Sequence, residues 1–205
     1  MPRTLVFDLE TKYAADEVGG WSNIWDMGMS VGVLWDSLDQ GFHVYLEHQV
    51  PALVGHLRQA DLIVGFNHIE FDLKVVAGHQ PSPELRHQLY LELVGLHNFD
   101  MLAELKKILN HRLKLDSIAR PTLQEGKSAD GLQALQWYKQ GRMDLIIAYC
   151  KQDVDVTRRI YEFALAHGHL LYESRAGIKQ VQVSWTAPTL TPKAAHPAEQ
   201  LSLLE

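Results

Sequence analysis

Short apolar runs, each bounded by polar or turn-forming residues, dominate the first third of the chain. Runs of this length that are rich in β-branched and aromatic residues are typical of buried strands. The predicted strands are Thr4–Asp8, Ser30–Trp35, Phe42–Leu46 and Asp61–Phe66. The segment Ser37–Gly41 (SLDQG) between the second and third runs has the composition of a hairpin loop.

Helical periodicity takes over in the rest of the chain. The predicted helices are Pro51–Gln59, which opens on a proline, and Phe71–Ala77, Met101–Leu109, Gly131–Gln140 and Met143–Ala166. The segment Arg120–Ala129 contains Pro, Gly and Ser and predicts a loop. Val181–Trp185 predicts a late strand. We expect one domain over residues 1–186 and a flexible Pro- and Ala-rich tail over residues 187–205.

The order of these elements predicts an α/β fold. Three strands come first, then strand and helix alternate, and helices follow. This order favours a mixed sheet in which an antiparallel meander is continued by parallel strands with helical crossovers.

Composition sets the broad class of protein. The chain has 205 residues, of which 46% are hydrophobic and 21% charged, the balance of a globular protein. The lone cysteine, Cys150, cannot form an internal disulfide, which fits a reducing compartment. The N-terminus does not resemble a signal peptide, and no apolar run approaches the roughly 20 residues of a membrane helix. We expect a cytoplasmic protein that does not insert into membranes.

The net charge of −6 is unevenly distributed along the chain. Residues 1–72 hold 11 acids and 3 Lys or Arg, whereas residues 73–205 hold 14 acids and 16 Lys or Arg. Divalent cations bound by acids of the first part would make that part less negative. Charge alone therefore neither supports nor excludes a phosphodiester substrate.

Two carboxylates, Asp8 and Glu10, lie at the end of the first predicted strand. Because strand side chains repeat every two residues, both point to one face. Ligand sites of open α/β sheets form at such strand ends, and hard oxygen ligands suit Mg²⁺ or Mn²⁺. The alternative is a solvated strand end that carries two acids.

Asp72 follows the next buried strand, at the start of a predicted helix. Taken alone, an acid at this position is explained by a favourable interaction with the helix dipole.

Tyr149 and Asp153 are four residues apart in the last predicted helix and share one face. Val156 continues that face, so it is expected to point toward the sheet. A buried carboxylate needs a partner, and a cation shared with the first two acids would supply one. The alternative is a salt bridge to Arg158 or Arg159, but their positions in the helix point them elsewhere.

These residues resemble the motifs of the DEDD superfamily of 3′→5′ exonucleases. Phe7–Thr11 (FDLET) is similar to its first motif, and Asn67–Asp72 (NHIEFD) is similar to the second, N-x₃-F-D. Tyr149–Asp153 (YCKQD) resembles the third motif of the tyrosine subgroup, since Ala148 stands where the histidine subgroup has histidine. The resemblance spans about three quarters of the chain and implies a ribonuclease-H-like five-stranded sheet flanked by helices.

The resemblance also implies a function. It implies a metal-dependent exonuclease that degrades single-stranded DNA or RNA from the 3′ end and releases nucleoside 5′-monophosphates. Asp8 would bridge two divalent cations, Mg²⁺ or Mn²⁺, with Glu10 and Asp153 completing one cation site and Asp72 holding the other. Tyr149 would orient the attacking water, because a phenol with a pKa near 10 is a weak base.

Candidate substrate contacts lie within or near these motifs. Leu9 and Thr11 are expected beside the terminal sugar and base, and Asn67 and Phe71 along the strand path. Lys127 is a candidate substrate contact in the mildly basic segment 100–127, which we interpret as a strand-guiding surface; a solvated helix face is the open alternative. A structural role remains open for the first four. Trp21, Trp25 and Trp35 lie near the first hairpin, and one of them is a candidate for stacking on a base, although core packing is favoured for Trp35.

Two other functions remain open at this stage. One is a module that binds nucleic acid without cutting it, although the presence of all five motif residues argues against it. The other is an endonuclease or another phosphodiesterase on the same sheet.

Overall fold

A five-stranded mixed sheet forms the centre of the computed structural model, which describes residues 2–124 and 131–187. The strand order is β3-β2-β1-β4-β5. The strands are β1 (Thr4–Thr11), β2 (Met29–Asp36), β3 (Gly41–Leu46), β4 (Leu62–Gly65) and β5 (Asn98–Asp100). β1, β2 and β3 form an antiparallel meander, whereas β4 runs parallel to β1 and β5 runs parallel to β4. The predicted fold class is confirmed.

Helices cover both faces of the sheet. They are α1 (Val50–Leu57), α2 (Asp72–Gly78), α3 (Pro83–Val94), α4 (Met101–Leu109), α5 (Leu115–Leu123), α6 (Gly131–Lys139) and α7 (Met143–His167). No helix in the described ranges is both long enough and apolar enough to cross a membrane.

Successive side chains of β1 point in turn into two separate apolar cores. Leu5, Phe7 and Leu9 are buried with the residues of α1, α2 and α3. Val6 points to the other face and is buried with residues of α7 such as Val154. Since side chains repeat every two residues, Asp8 and Glu10 continue the Val6 row and face α7. This arrangement places two carboxylates at the edge of a buried core.

One strand of the main sheet, β5, was not predicted from the sequence. Val181–Trp185 does not join the main sheet. The strand in this region, β7 (Gly177–Gln182), pairs with β6 (His169–Ser174) in a separate antiparallel ribbon. The fifth strand is β5, whose three residues are too few to show a period-2 pattern.

Two helices, α3 and α5, were not predicted from the sequence. In α3 only Leu89 and Leu93 are buried, so its sequence carries a weak amphipathic pattern. The prediction of a loop over Arg120–Ala129 is wrong for its first residues, because α5 continues to Leu123 despite an internal proline. Residues 125–130 lie outside the described residues, as do residues 188–205 of the predicted tail.

Candidate active site

Three parallel strands end at the same edge of the sheet. β1 carries Asp8 and Glu10 near its carboxyl end, β4 leads into residues 66–71, and β5 ends at Asp100. The carboxyl ends of parallel strands are where ligand sites form in open α/β sheets. The candidate site is built on this edge.

Helix α7 closes the site from the Val6 face of the sheet. The fully buried Cys150 lies against β1, and its thiol donates weak hydrogen bonds to the carbonyl and Oδ2 of Asp8 at 3.6 and 3.7 Å. Asp153 lies almost one turn further along α7. Packing of α7 on β1 therefore brings together acids that are far apart in the sequence.

The acids of β1 and α7 converge. Asp8, Glu10 and Asp153 each offer a carboxylate oxygen, and these oxygens lie within 4.8 Å of one another. The hydroxyl of Tyr149 is hydrogen-bonded to the Asp153 carboxylate. Arg158, the alternative partner considered for Asp153, pairs with the Asp155 carboxylate at 2.7 Å.

Asp72 lies next to β1, but its carboxylate is not one of the three whose oxygens converge. It is the first residue of α2, is buried, and accepts a hydrogen bond from the backbone N–H of Leu9 at 3.1 Å. Burial raises the pKa of Asp72 to about 7, against the lowering effect of its backbone hydrogen bonds. Asp72 thus stands at the start of a helix, as the sequence predicted, and its charge also acts on Asp8.

Burial and the repulsion between neighbouring carboxylates both act against negative charge in the site. Burial, followed by the charges of Asp72, Asp153 and Glu10, raises the pKa of Asp8 well above its ordinary value. Burial and the charges of Asp153 and Glu10 also raise the pKa of Tyr149 above its ordinary value. The phenol is therefore protonated at neutral pH and cannot act as a general base.

The donor set fits divalent cations that prefer oxygen. The three converging carboxylates offer hard oxygen ligands. A cation would also remove the repulsion that acts on Asp8.

A second group of possible metal ligands lies where β2, β3 and α1 meet, and it differs from the first group in its charge. Asp36, His43 and His56 also have ligand atoms within 4.8 Å of one another. There, however, the guanidinium of Arg3 lies 2.6 Å from the Asp36 carboxylate and 2.8 Å from His56 Nε2. A positive charge is already in place, so this group is explained as a structural ion pair.

Asp100 is a site-forming residue that the sequence analysis missed. It caps α4 and accepts hydrogen bonds from the N–H groups of Asn67 at 2.8 Å and Ile69 at 3.2 Å. The buried His68 packs under the same loop, where a Cβ at Gly65 would lie 2.7 Å from its ring. Asp100 thus fixes the loop that carries the second motif. The signal available in the sequence was an acid directly before a helical pattern.

Three of the five predicted substrate contacts line one cavity, which we call the terminal cavity. Its volume is about 470 Å³, and its walls include Leu9, Glu10, Thr11, Trp21, Phe71 and Leu135. The Thr11 hydroxyl donates to the carbonyl of Tyr13 at 3.1 Å. The sequence analysis did not anticipate the wall supplied by α6.

A larger depression, which we call the basic groove, shares Trp21 and Phe71 with the terminal cavity. Its volume is about 910 Å³, and it is lined in part by Trp21, Asn67, Phe71, Lys106, Lys107 and Arg112. Arg112 Nη2 donates to Asn67 Oδ1 at 2.8 Å. Lys127, the remaining predicted contact, lies outside the described residues.

Comparison with known proteins identifies the family. Residues 5–165 match the model of the RNase_H superfamily. The chain belongs to the RNase_H superfamily. A search of curated proteins finds no match. Membership of this superfamily suggests a nuclease that uses divalent cations.

A solved structure supports the fold. The family B DNA polymerase from the hyperthermophilic archaeon Pyrobaculum calidifontis is similar over 80% of this chain, with a TM-score of 0.58 and 17% sequence identity. This chain spans 25% of the polymerase chain. At this identity the similarity concerns the fold alone.

Proposed function

We propose that this RNase_H-superfamily protein is a metal-dependent 3′→5′ exonuclease of the tyrosine type of the DEDD group, acting on single-stranded nucleic acid. The observation that carries the proposal is the convergence of Asp8, Glu10 and Asp153 within 4.8 Å, at a site whose Glu10 also lines the terminal cavity. The resemblance of the three motifs to those of DEDD exonucleases supports it.

Two divalent cations, Mg²⁺ or Mn²⁺, complete the proposed site. Asp8, Glu10 and Asp153 would hold one cation, and Asp8 and Asp72 would hold the second. When bound, such a pair supplies Lewis-acid stabilisation of charge on the attacking and leaving oxygens. The remaining functions, which are positioning water and binding the strand, belong to the protein's own side chains.

Tyr149 positions the attacking water in this proposal. Its protonated hydroxyl is hydrogen-bonded to Asp153, so the phenol oxygen can accept a hydrogen bond from the water. Water attacks phosphorus and the bond between phosphorus and the 3′ oxygen of the penultimate nucleotide breaks. The 3′ oxygen leaves with a proton, and the products are a nucleoside 5′-monophosphate and a shortened strand that again ends in a 3′ hydroxyl.

The terminal cavity is consistent with an enzyme that acts on a chain end. Its volume of about 470 Å³ falls in the range of roughly 300–1,000 Å³ typical of sites for small ligands. Its mixed walls, with Leu9 and Phe71 beside Thr11, suit the base and sugar of one nucleotide.

The direct test uses a single strand labelled at its 5′ end, incubated with Mn²⁺ or Mg²⁺. We expect a ladder of products shortened one nucleotide at a time and accumulation of nucleoside 5′-monophosphates. A strand whose 3′ end is blocked should be degraded slowly or not at all. Internal cleavage of the blocked strand would support an endonuclease instead, and tight binding without cleavage under either metal would support a binding module.

Removing the Tyr149 hydroxyl is expected to slow the reaction without eliminating it. Because the phenol orients the water and does not take its proton, Tyr149→Phe should lower kcat about 10- to 100-fold. Steady-state rates on a short single strand measure this effect. Tyr161→Phe is the matched control, because the buried Tyr161 hydroxyl on the same helix has no hydrogen-bond partner among the described residues. An unchanged kcat in Tyr149→Phe would remove Tyr149 from the mechanism.

A further inference from the structure

Trp21 is an exposed indole that separates the terminal cavity from the basic groove. Its side chain is 71% exposed, although large apolar side chains are usually buried, and it lines both depressions. Its ring lies 6.3 Å from the ring of Phe71, centroid to centroid, at an angle of 55°. Phe71 lines both depressions as well, so the two rings form the ridge between them.

A turn formed by two glycines precedes Trp21 and sets the position of its ring at the surface. Gly19 and Gly20 have φ values of +86° and +114°, a conformation that other residues rarely adopt. The chain then enters the short helical segment Trp21–Asp26. The side chain of Asn23 donates to the carbonyl of Val18 at 2.7 Å and closes this turn. The glycine turn and the Asn23 hydrogen bond therefore hold Trp21 in its exposed position.

The basic groove is lined by more basic than acidic side chains, with Lys74 paired to Glu70 at 2.8 Å. The charged residues in its lining are Lys74, Lys106, Lys107, Arg112, Glu70 and Asp100. Lys107 pairs with Glu104 at 2.6 Å, and the Lys107 side chain is 70% exposed. Arg112 donates to Asn67, a neutral partner. In the described part of the chain, Lys106 takes part in no ion pair within 4.0 Å. The carboxylate of Asp100, also in this groove, is already bound by backbone N–H groups.

We propose that the basic groove binds the phosphates on the 5′ side of a single strand and that Trp21 is the platform on which a base next to the terminal nucleotide stacks. This inference rests on the proposed function and adds the direction of the strand: its 3′ end lies in the terminal cavity, and its 5′ part lies along Lys106, Lys107 and Arg112. Positive grooves combined with exposed aromatic side chains are the common means of holding single strands.

Trp21 should contribute more to the binding of a long strand than to the binding of a single nucleotide. A thymidine 5′-monophosphate p-nitrophenyl ester offers one nucleotide for the terminal cavity and a nitrophenyl leaving group on its 5′ side, whereas a 10-nucleotide strand also offers bases and phosphates for the ridge and the groove. Trp21→Ala should raise KM for the strand about 10-fold or more, as expected for the loss of one stacked base, and leave kcat unchanged. Trp21→Ala should reduce hydrolysis of the ester less than hydrolysis of the strand, because Trp21 also forms part of the cavity wall that the ester contacts.

Further variants distinguish the loss of base stacking from a general effect of mutation on the fold or the surface. Trp21→Phe should restore most of the affinity for the strand, because phenylalanine can also stack. Leu38→Ala removes another exposed apolar side chain, 74% exposed and distant in the sequence, and should have no effect. Lys106→Gln with Lys107→Gln should weaken binding of the strand and reduce its salt dependence, whereas Lys179→Gln on the separate ribbon should not.

Direct binding makes the test independent of cleavage. Fluorescence anisotropy of a labelled 10-nucleotide strand in Ca²⁺ should give a dissociation constant about 10-fold higher or more for Trp21→Ala than for the wild type. Equal dissociation constants would overturn the inference, and so would an equal loss of activity on ester and strand. Wild-type protein that binds the strand through Trp21 but cleaves neither substrate would contradict the proposed function and leave this inference standing.

Discussion

Asp8→Asn is expected to abolish phosphodiester hydrolysis and, in EDTA, to make the protein more stable than the wild type. Asp8 lies at the centre of the carboxylate group, and losing a shared cation ligand should lower kcat by about 10³-fold or more. The rate on a labelled single strand in Mn²⁺ measures the first effect. Thermal unfolding in EDTA measures the second.

The rise in stability follows from the charges on the folded protein. Burial and three neighbouring acids raise the pKa of Asp8, so its ionised form destabilises the metal-free fold. Asparagine has nearly the same shape without the charge. We expect a gain of about 1 kcal/mol, equivalent to roughly 2–4 °C in Tm for a domain of this size.

With Mn²⁺ bound, the wild type should be more stable than Asp8→Asn, the reverse of the order expected in EDTA. Mn²⁺ should stabilise the wild type by about 2.7 kcal/mol at a concentration 100 times its dissociation constant, and Asp8→Asn much less. Asp155→Asn is the control, since Asp155 lies on α7 but pairs with Arg158. Wild-type activity in Asp8→Asn would show that the site has been assigned to the wrong residues. A fall in stability in EDTA would contradict the electrostatic argument.

Asp36→Asn is expected to produce the largest loss of stability. The Asp36 side chain is 1% exposed and holds the Arg3 guanidinium at 2.6 Å and His56 Nε2 at 3.0 Å. Asp36→Asn removes the anionic partner of Arg3, whose side chain is 21% exposed. Since hydrogen bonds to charged groups contribute about 1.5–3 kcal/mol, we expect a loss of about 2 kcal/mol. Chemical denaturation at pH 7 measures this loss. Asp26→Asn, which breaks the exposed pair with Arg86, should cost about 0–1 kcal/mol.

The same residue predicts a dependence of stability on pH. Burial by itself would raise the pKa of Asp36, but hydrogen bonds from Arg3, the Leu38 N–H and His56 outweigh it and lower the pKa to about 2. The stabilisation is therefore present above the unfolded pKa of about 3.9 and is lost as the pH falls toward 2, a change of about 2 kcal/mol. Asp36→Asn should lack this part of the acid-induced loss. Identical pH profiles for the two proteins would contradict the argument.

Local sequence patterns predicted the parts of the site that lie on regular elements. The spacing of Asp8 and Glu10 places both carboxylates on one face because a strand repeats every two residues. The spacing of Tyr149 and Asp153 does the same on a helix. The motif order further predicted that these pairs converge, and the structure brings Asp8, Glu10 and Asp153 together.

Features that depend on tertiary contacts could not be predicted in the same way. Asp100 acts through backbone N–H groups 31 and 33 residues away, and no local period encodes such contacts. The role inferred for Trp21 depends on its exposure between two depressions, whereas the sequence offered three tryptophans without deciding among them. β5 was not predicted because a strand of only three residues shows no period-2 pattern.

The central claim is that the carboxylates of β1, α2 and α7 together hold divalent cations. Crystals grown with Mn²⁺ and measured above the manganese absorption edge test it most directly. We predict anomalous density in contact with Asp8, with one peak also bound by Glu10 and Asp153 and a second on the side of Asp72. A well-ordered site without anomalous density, or manganese bound only at other residues, would contradict the account.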